Sequence, residues 1–199
     1  MKGTQDFIIE IKEPYSDTFK TKGEVKLYGN INFTTERQSN RIAKVVGIPV
    51  LFKTEIKNGD EVLIDASPLY RQIYRGTKQW YQNIVDQEKN LFHLGKEMII
   101  CYRKDKSLEW IGFLENSIVK PVLEEQNKMN TTLIIPLNVS KKKFNGKVVM
   151  KYANKEIKEL GVKNGDILYI NKLGGVKYWL NGEEFWWMRN KDIYAKEIV

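Results

Sequence analysis

The chain has 199 residues, enough for one domain or for two of about 100, and its 42% hydrophobic, 12% aromatic and 29% charged residues are the make-up of a globular protein. No apolar run approaches the ~20 residues that span a membrane, and Met1-Lys2-Gly3-Thr4-Gln5-Asp6 is not followed by the long apolar stretch of a signal peptide. The single Cys101 excludes an internal disulfide and favours a reducing, cytoplasmic setting. The net charge of +8 comes mostly from scattered lysines, the densest run being Lys141-Lys142-Lys143. It reads first as a lysine-rich surface and only second as a sign of nucleic acid or membrane.

In chain order the predicted elements are short β-type runs. They are Phe7–Ile11, Arg41–Val46, Glu61–Ile64, Met98–Tyr102, Ile118-Val119, Lys147–Met150, Ile167–Ile170 and Phe185–Met188. All are rich in β-branched and aromatic residues, and Gly, Asn, Asp or Pro separates them, which is the pattern of an all-β barrel or sandwich. Helical periodicity is scarce, with candidates only within Tyr70–Asn90 and Asn154–Leu160.

The tetrapeptide Lys57-Asn58-Gly59-Asp60 returns as Lys163-Asn164-Gly165-Asp166, an offset of 106 residues, and each copy leads into an apolar strand. By itself this is a hairpin signal, since Asn and Gly tolerate positive φ. Asn40–Val45 also lies against Asn145–Met150 at an offset of 105, and Gly95–Asp105 against Gly182–Asp192 at an offset of 87. The spacing predicts two tandem β units, 1–114 and 115–199, with about 19 extra residues in the first and an insertion at 65–94. No Gly/Ser or Pro spacer lies between Trp110 and Ile118, so the units are expected side by side.

The second copy runs Leu160-Gly161-Val162-Lys163-Asn164-Gly165-Asp166-Ile167-Leu168-Tyr169, then Lys177–Phe185, then Arg189-Asn190-Lys191-Asp192-Ile193-Tyr194-Ala195. It resembles the C-terminal half of the GroES-type co-chaperonin family, where a "VKVGD" turn leads to "VLF" and then "IDGEEYLILREDDILA". Ser117–Glu125 fits that family's first strand. The resemblance implies an all-β fold of two GroES-like β-barrels, the first carrying the insertion. It also implies a function. Such proteins form a homo-oligomeric ring that caps a GroEL-type chaperonin and closes a chamber around unfolded client protein.

The family's contact is a mobile loop between its first two strands with a short apolar tripeptide. By position this implies Glu124–Lys143 in the second copy, with Leu133, Ile134 and Ile135 as the anchor between polar flanks. Thr131 and Thr132 stand where the family has glycines, and Pro136 restricts the backbone after the anchor. Read without the family, Leu133–Leu137 is an ordinary buried strand. In the first copy the corresponding stretch is Lys22–Asn30, with Val25 and Leu27 flanking Lys26. Alternation places Val25 and Leu27 on one face, and the competing reading is an edge hairpin protected by its lysine.

The insertion 65–94 interleaves Tyr70, Tyr74, Trp80, Tyr81 and Phe92 with Arg71, Arg75, Lys78 and Lys89. Such a pattern can stack and neutralise single-stranded nucleic acid, but a contact with another subunit or with client protein ranks ahead of it. His93 is the only histidine and lacks partners at metal-ligand spacing, so neither metal nor cofactor is expected. No nucleophile elbow, P-loop or dinucleotide fingerprint is present, and no enzymatic activity is expected. The alternative is a structural or assembly protein that uses the same barrels without binding a chaperonin.

Overall fold

The computed structural model describes residues 1–12, 14, 18–20, 26–28, 40–69, 71–74, 78–81, 83–124, 143–180 and 183–197. Among these the chain is all-β, with one short helix and a few single 3-10 turns. It divides into two compact units, Met1–Phe113 and Leu114–Val199.

The first unit contains β1 (Phe7–Glu10), β2 (Thr18–Lys20), β3 (Lys26–Tyr28), β4 (Ile42–Gly47), β5 (Glu61–Ile64), β6 (Arg71–Tyr74), β7 (Lys78–Tyr81), β8 (Ile84–Asp86), β9 (Leu91–Leu94), β10 (Ile99–Arg103) and β11 (Ile111–Gly112). Seven of these strands form one antiparallel sheet in the order β11-β10-β5-β4-β1-β9-β8, while β2-β3 and β6-β7 are separate two-stranded ribbons. The second unit contains β12 (Asn116–Glu124), β13 (Lys143–Tyr152), α1 (Lys155–Glu159), β14 (Ile167–Ile170), β15 (Val176–Leu180), β16 (Glu183–Arg189) and β17 (Ile193–Lys196). Its six strands pair in the order β15-β16-β12-β13-β14-β17.

Reversed, the first order reads β8-β9-β1-β4-β5-β10-β11, and its first six strands match the second sheet strand for strand, β11 being additional. The register matches as well. Ile9 opposes Val45 after an irregularity at Ile8/Ile9, and Val119 opposes Met150 after an irregularity at Ile118/Val119. Phe7 opposes Leu94, and Ser117 opposes Met188. Core residues therefore take equivalent places. Ala43, Val45, Ile56, Val62, Ile64 and Leu94 in one core correspond to Val148, Met150, Val162, Leu168, Ile170 and Met188 in the other. Phe113 adds edge-to-face contacts with Phe7 and Tyr102 in the first unit, with centroids 6.2 and 6.1 Å apart.

Three sequence expectations change. The described part of Tyr70–Asn90 is the β6-β7 ribbon, β8 and turns, not helix. Its Tyr, Trp and Ile residues favour a pleated backbone over a short helix. Second, β8 and β9, although inside the segment 65–94, are members of the main sheet, so the additional element is the β6-β7 ribbon. Third, Gly95–Asp105 is not the partner of Gly182–Asp192. Asp65 N donates to Met98 O and Asn171 N to Asp192 O, both at 2.8 Å. That equates Met98 with Asp192, an offset of 94 (192 − 98), so the first unit has 12 extra residues (106 − 94) there rather than 19. In the second unit this connection is a tight turn. A Cβ on Gly174 would sit 2.5 Å from Asp192, and one on Gly175 would sit 2.6 Å from the Trp186 ring.

The repeated tetrapeptide is a clasp. Gly59 and Gly165 take φ +95° and +96°, a region that side chains with a Cβ enter at a cost. The Asp60 carboxylate accepts from Lys57 N at 2.8 Å, and Asp166 accepts from Lys163 N at 2.7 Å. A lysine from the end of the last paired strand then closes each turn. Lys104 Nζ bridges Asp60 Oδ2 and Glu55 O at 2.9 and 2.6 Å. Lys196 Nζ bridges Asp166 Oδ2, at 2.7 Å, and Gly161 O, at 3.1 Å. The Lys196 hydrogen bond, helped by the Lys163 amide, holds the Asp166 carboxyl below its usual range. A carboxylate with a lowered folded pKa stabilises the fold above its unfolded value of about 3.9 and loses that contribution as pH falls through the folded value. Asp166→Asn is therefore expected to flatten the decline of the urea midpoint below about pH 4. An acid limb as steep as that of the wild type would show that the clasp carries no linkage.

Candidate functional site

The first loop of each unit leaves from one end of the sheet and returns to it. In the second unit β12 and β13 pair as far as Leu123–Phe144 and Glu124–Lys143, with an irregularity between Pro121 and Leu123. Pro121 supplies no amide to the ladder, which suits an interrupted position. The bulge is taken up by Asn145-Gly146. Gly146 has φ +90°, and the Asn145 side-chain oxygen accepts from Lys147 N at 2.9 Å. The Phe144 ring packs on Trp186 with centroids 4.6 Å apart, so the returning strand is fixed to the core at its first turn.

The first unit is built the same way. Asn40, equivalent to Asn145 at an offset of 105, accepts from Ile42 N at 3.1 Å. Its amide group donates to Lys12 O at 2.8 Å, and its backbone N–H donates to Pro14 O at 3.1 Å. One asparagine thus ties the outgoing and returning ends of the first loop together. The recurrence of asparagine at Asn40 and Asn145, 105 residues apart, is the sequence signal that marks this root.

Beside the second root, Lys147 Nζ meets Glu197 Oε1 at 2.8 Å and the Tyr169 hydroxyl donates to the same oxygen at 3.1 Å. Lys147 and Tyr169 together hold the Glu197 carboxyl below its usual range, and Glu197 raises Lys147 in return. The chain's last described residues are thereby latched next to the loop.

The proposed anchor Leu133, Ile134 and Ile135 lies outside the described residues, as does Val25. Leu27 lies in β3, opposite Phe19 of β2, in a ribbon separate from the main sheet. Cys101 is buried in β10, and burial pushes its thiol far above the normal range, so no thiolate forms there. His93 Nδ1 lies 2.9 Å from Asp6 Oδ2, a structural pairing. Among the described residues no group of three His, Cys, Asp or Glu side chains is placed to hold a metal, and no helix is long and apolar enough to cross a membrane.

Each unit is thus an antiparallel β sheet in which the chain leaving the first strand and the chain returning to its neighbour meet at one place, marked by an asparagine in both units and by a bulge in the second. The comparisons identify the family. A family model described as "Chaperonin 10 Kd subunit" matches residues 112–197. The co-chaperonin GroES of Streptomyces griseus subsp. griseus is 31% identical over 86 residues, covering 41% of this chain and 84% of that protein. The co-chaperonin GroES of Streptomyces albus G is similar to the same extent. The chain belongs to the chaperonin 10 family, with the matched region lying in its second unit.

Gly146 is the residue at the root with least freedom to change. Gly146→Val places a branched side chain at φ +90° and against Lys172 Cε, 3.0 Å from the added Cβ. It is expected to cost about 1–3 kcal/mol, read as a lower urea midpoint. An unchanged midpoint would mean that the bulge relaxes freely.

Proposed function

We propose that this chain is a tandem co-chaperonin, each unit a GroES-like barrel, which assembles as a homo-oligomeric ring and caps a GroEL-type chaperonin around unfolded client protein in the cytoplasm. The observation that carries the reading is the order of six strands shared by the two units, with the same bulged register between their first two sheet strands, together with the chaperonin 10 match over the second. The chain acts by binding; nucleotide hydrolysis belongs to the chaperonin, and the pure chain is expected to show no ATP turnover in a phosphate-release assay.

Leu133, Ile134 and Ile135 are the main anchor, with Val25 and Leu27 as a weaker one. Fully burying a Leu or Ile side chain is worth about 1.5–3 kcal/mol. Fixing backbone torsions costs about 1–2 kcal/mol per residue. Three anchors therefore offset the ordering of only a handful of residues, and Pro136 helps by having fewer torsions to lose. Each docked loop is weak by itself, and a ring sums several. Weak single contacts also let the cap leave when the chaperonin changes state.

Val25-Lys26-Leu27 offers two apolar side chains with a charge between them, so the first unit contributes less per loop. The reading without chaperonin binding, as an assembly protein, is favoured by the non-standard first loop at Lys22–Asn30 and by the additional β6-β7 ribbon.

The test is co-elution with a GroEL-type chaperonin in the presence of ADP. Changing Leu133, Ile134 and Ile135 together to Ala is expected to abolish co-elution, while Val25→Ala/Leu27→Ala reduces it several-fold. Retention of the triple alanine variant at wild-type level would remove the anchor assignment.

A further inference from the structure

Asparagine precedes glycine at Asn58, Asn145, Asn164 and Asn181, and the last of these pairs lies outside the described residues. Such a pair can modify itself. Glycine has no Cβ to shield its nitrogen, so that nitrogen can reach the side-chain carbonyl carbon of the residue before it. Solvent base takes the Gly N–H proton, the nitrogen bonds to Asn Cγ, and the side-chain nitrogen leaves as ammonia. The succinimide so formed takes up one water at either carbonyl and opens to aspartate or isoaspartate. One water is consumed and one ammonia released, with no oxidant or reductant.

A fold slows this reaction by occupying the Gly N–H or by holding the carboxamide away from it. The first restraint is common to both Lys-Asn-Gly-Asp turns. Gly59 N donates to Val45 O at 2.8 Å, and Gly165 N donates to Met150 O at 2.7 Å. The second restraint is not shared. Asn164 Oδ1 accepts from Ala153 N at 3.0 Å, and Asn145 Oδ1 accepts from Lys147 N at 2.9 Å. Ala153 belongs to the lead-in to α1, a helix that the first unit does not have between β4 and β5. Asn58 is exposed, and its carboxamide has no hydrogen-bond partner among the described residues.

We infer that Asn58 is a self-modification site, at which the first turn converts to aspartate and isoaspartate while the identical second turn persists. The consequence falls on the clasp. Isoaspartate adds a carbon to the main chain between residues 58 and 59. The hydrogen bonds from Lys57 N to Asp60 Oδ2 and from Gly59 N to Val45 O lie on either side of that carbon, so the longer turn keeps both only with distorted geometry. Either product also places a new negative charge two residues from Asp60. The second clasp keeps its asparagine and its geometry.

The repeat supplies its own control. The full chain is held folded in mildly alkaline buffer, and in parallel unfolded in urea, and proteolytic peptides covering each turn are followed by mass spectrometry. In urea, Asn58 and Asn164 are expected to react at equal rates, because the four residues of each turn are the same. In the folded chain Asn58 is expected to react about two- to tenfold faster than Asn164, the factor that one further hydrogen bond supplies. Ageing is expected to lower the urea midpoint of the wild type and to spare that of Asn58→Gln, whose longer side chain closes the ring slowly. Equal rates in the folded chain, or a faster reaction at Asn164, would overturn the inference. So would the same inequality in urea as in the folded chain, since sequence alone would then set the order. An aged Asn58→Gln chain that weakens as much as the wild type would overturn the link to the clasp.

Discussion

The carboxylate at the end of each Lys-Asn-Gly-Asp turn holds three strands in place. In the first unit, the Asp60 backbone oxygen accepts from Val45 of β4, its side chain closes the turn that opens β5, and it receives Lys104 from just beyond β10. In the second, Asp166 does the same for β13, β14 and β17. The side chains of Asp60 and Asp166 are 8% and 22% exposed, so each charge is partly withdrawn from water and gains from being paired. Everything downstream depends on this closure. It fixes the middle strand pair, and the middle pair fixes where the chain re-enters the sheet after its first long connection.

Much of this was legible in the sequence because it is local. β-branched runs bounded by Gly and Asn identify strands, and the recurrence of one turn with its flanking strand identifies two units of one design. The root asparagines, Asn40 and Asn145, fall at the offset that the sequence alignment gives. What failed was non-local. Lys104 reaches its aspartate from just beyond β10 and Lys196 from the last position of β17, so no fixed spacing marks them as partners. Gly95–Asp105 and Gly182–Asp192 share letters but occupy successive strands of the pattern, because a Gly-acid-apolar run is common to any strand entered from a turn. The β6-β7 ribbon was open to a helical reading because its aromatic and basic residues carry no strong period, and pairing across it decides the matter. The anchor residues Leu133, Ile134 and Ile135 were reached through the family resemblance and not through local physics, which by itself favours a strand there.

The two units differ in their connections more than in their sheets. Their sheets agree in order and register, and their cores agree position by position with changes of size such as Ala43 against Val148 and Val45 against Met150. The differences are concentrated in the first loop and at the connection after β5 and β14. Core substitutions of this kind are tolerated when total volume is kept, while surface connections accept added length at small entropic cost. Joining two such units in one chain also means that the copies are free to diverge in their connections while each keeps its own sheet and core.

The connection after β14 has a further consequence. Gly174 and Gly175 lie so close to Asp192 and Trp186 that no side chain fits there, yet the equivalent connection in the first unit admits a whole ribbon while β5 keeps its register and β8 pairs with β9 after a shift. The closeness is thus a property of one short path and not a requirement of the barrel. That makes the junction a natural grafting port. A peptide tag, a fluorophore-bearing hairpin or a foreign recognition ribbon spliced between Asn171 and Val176 would leave through the same gap. It would report on the second unit from outside its sheet.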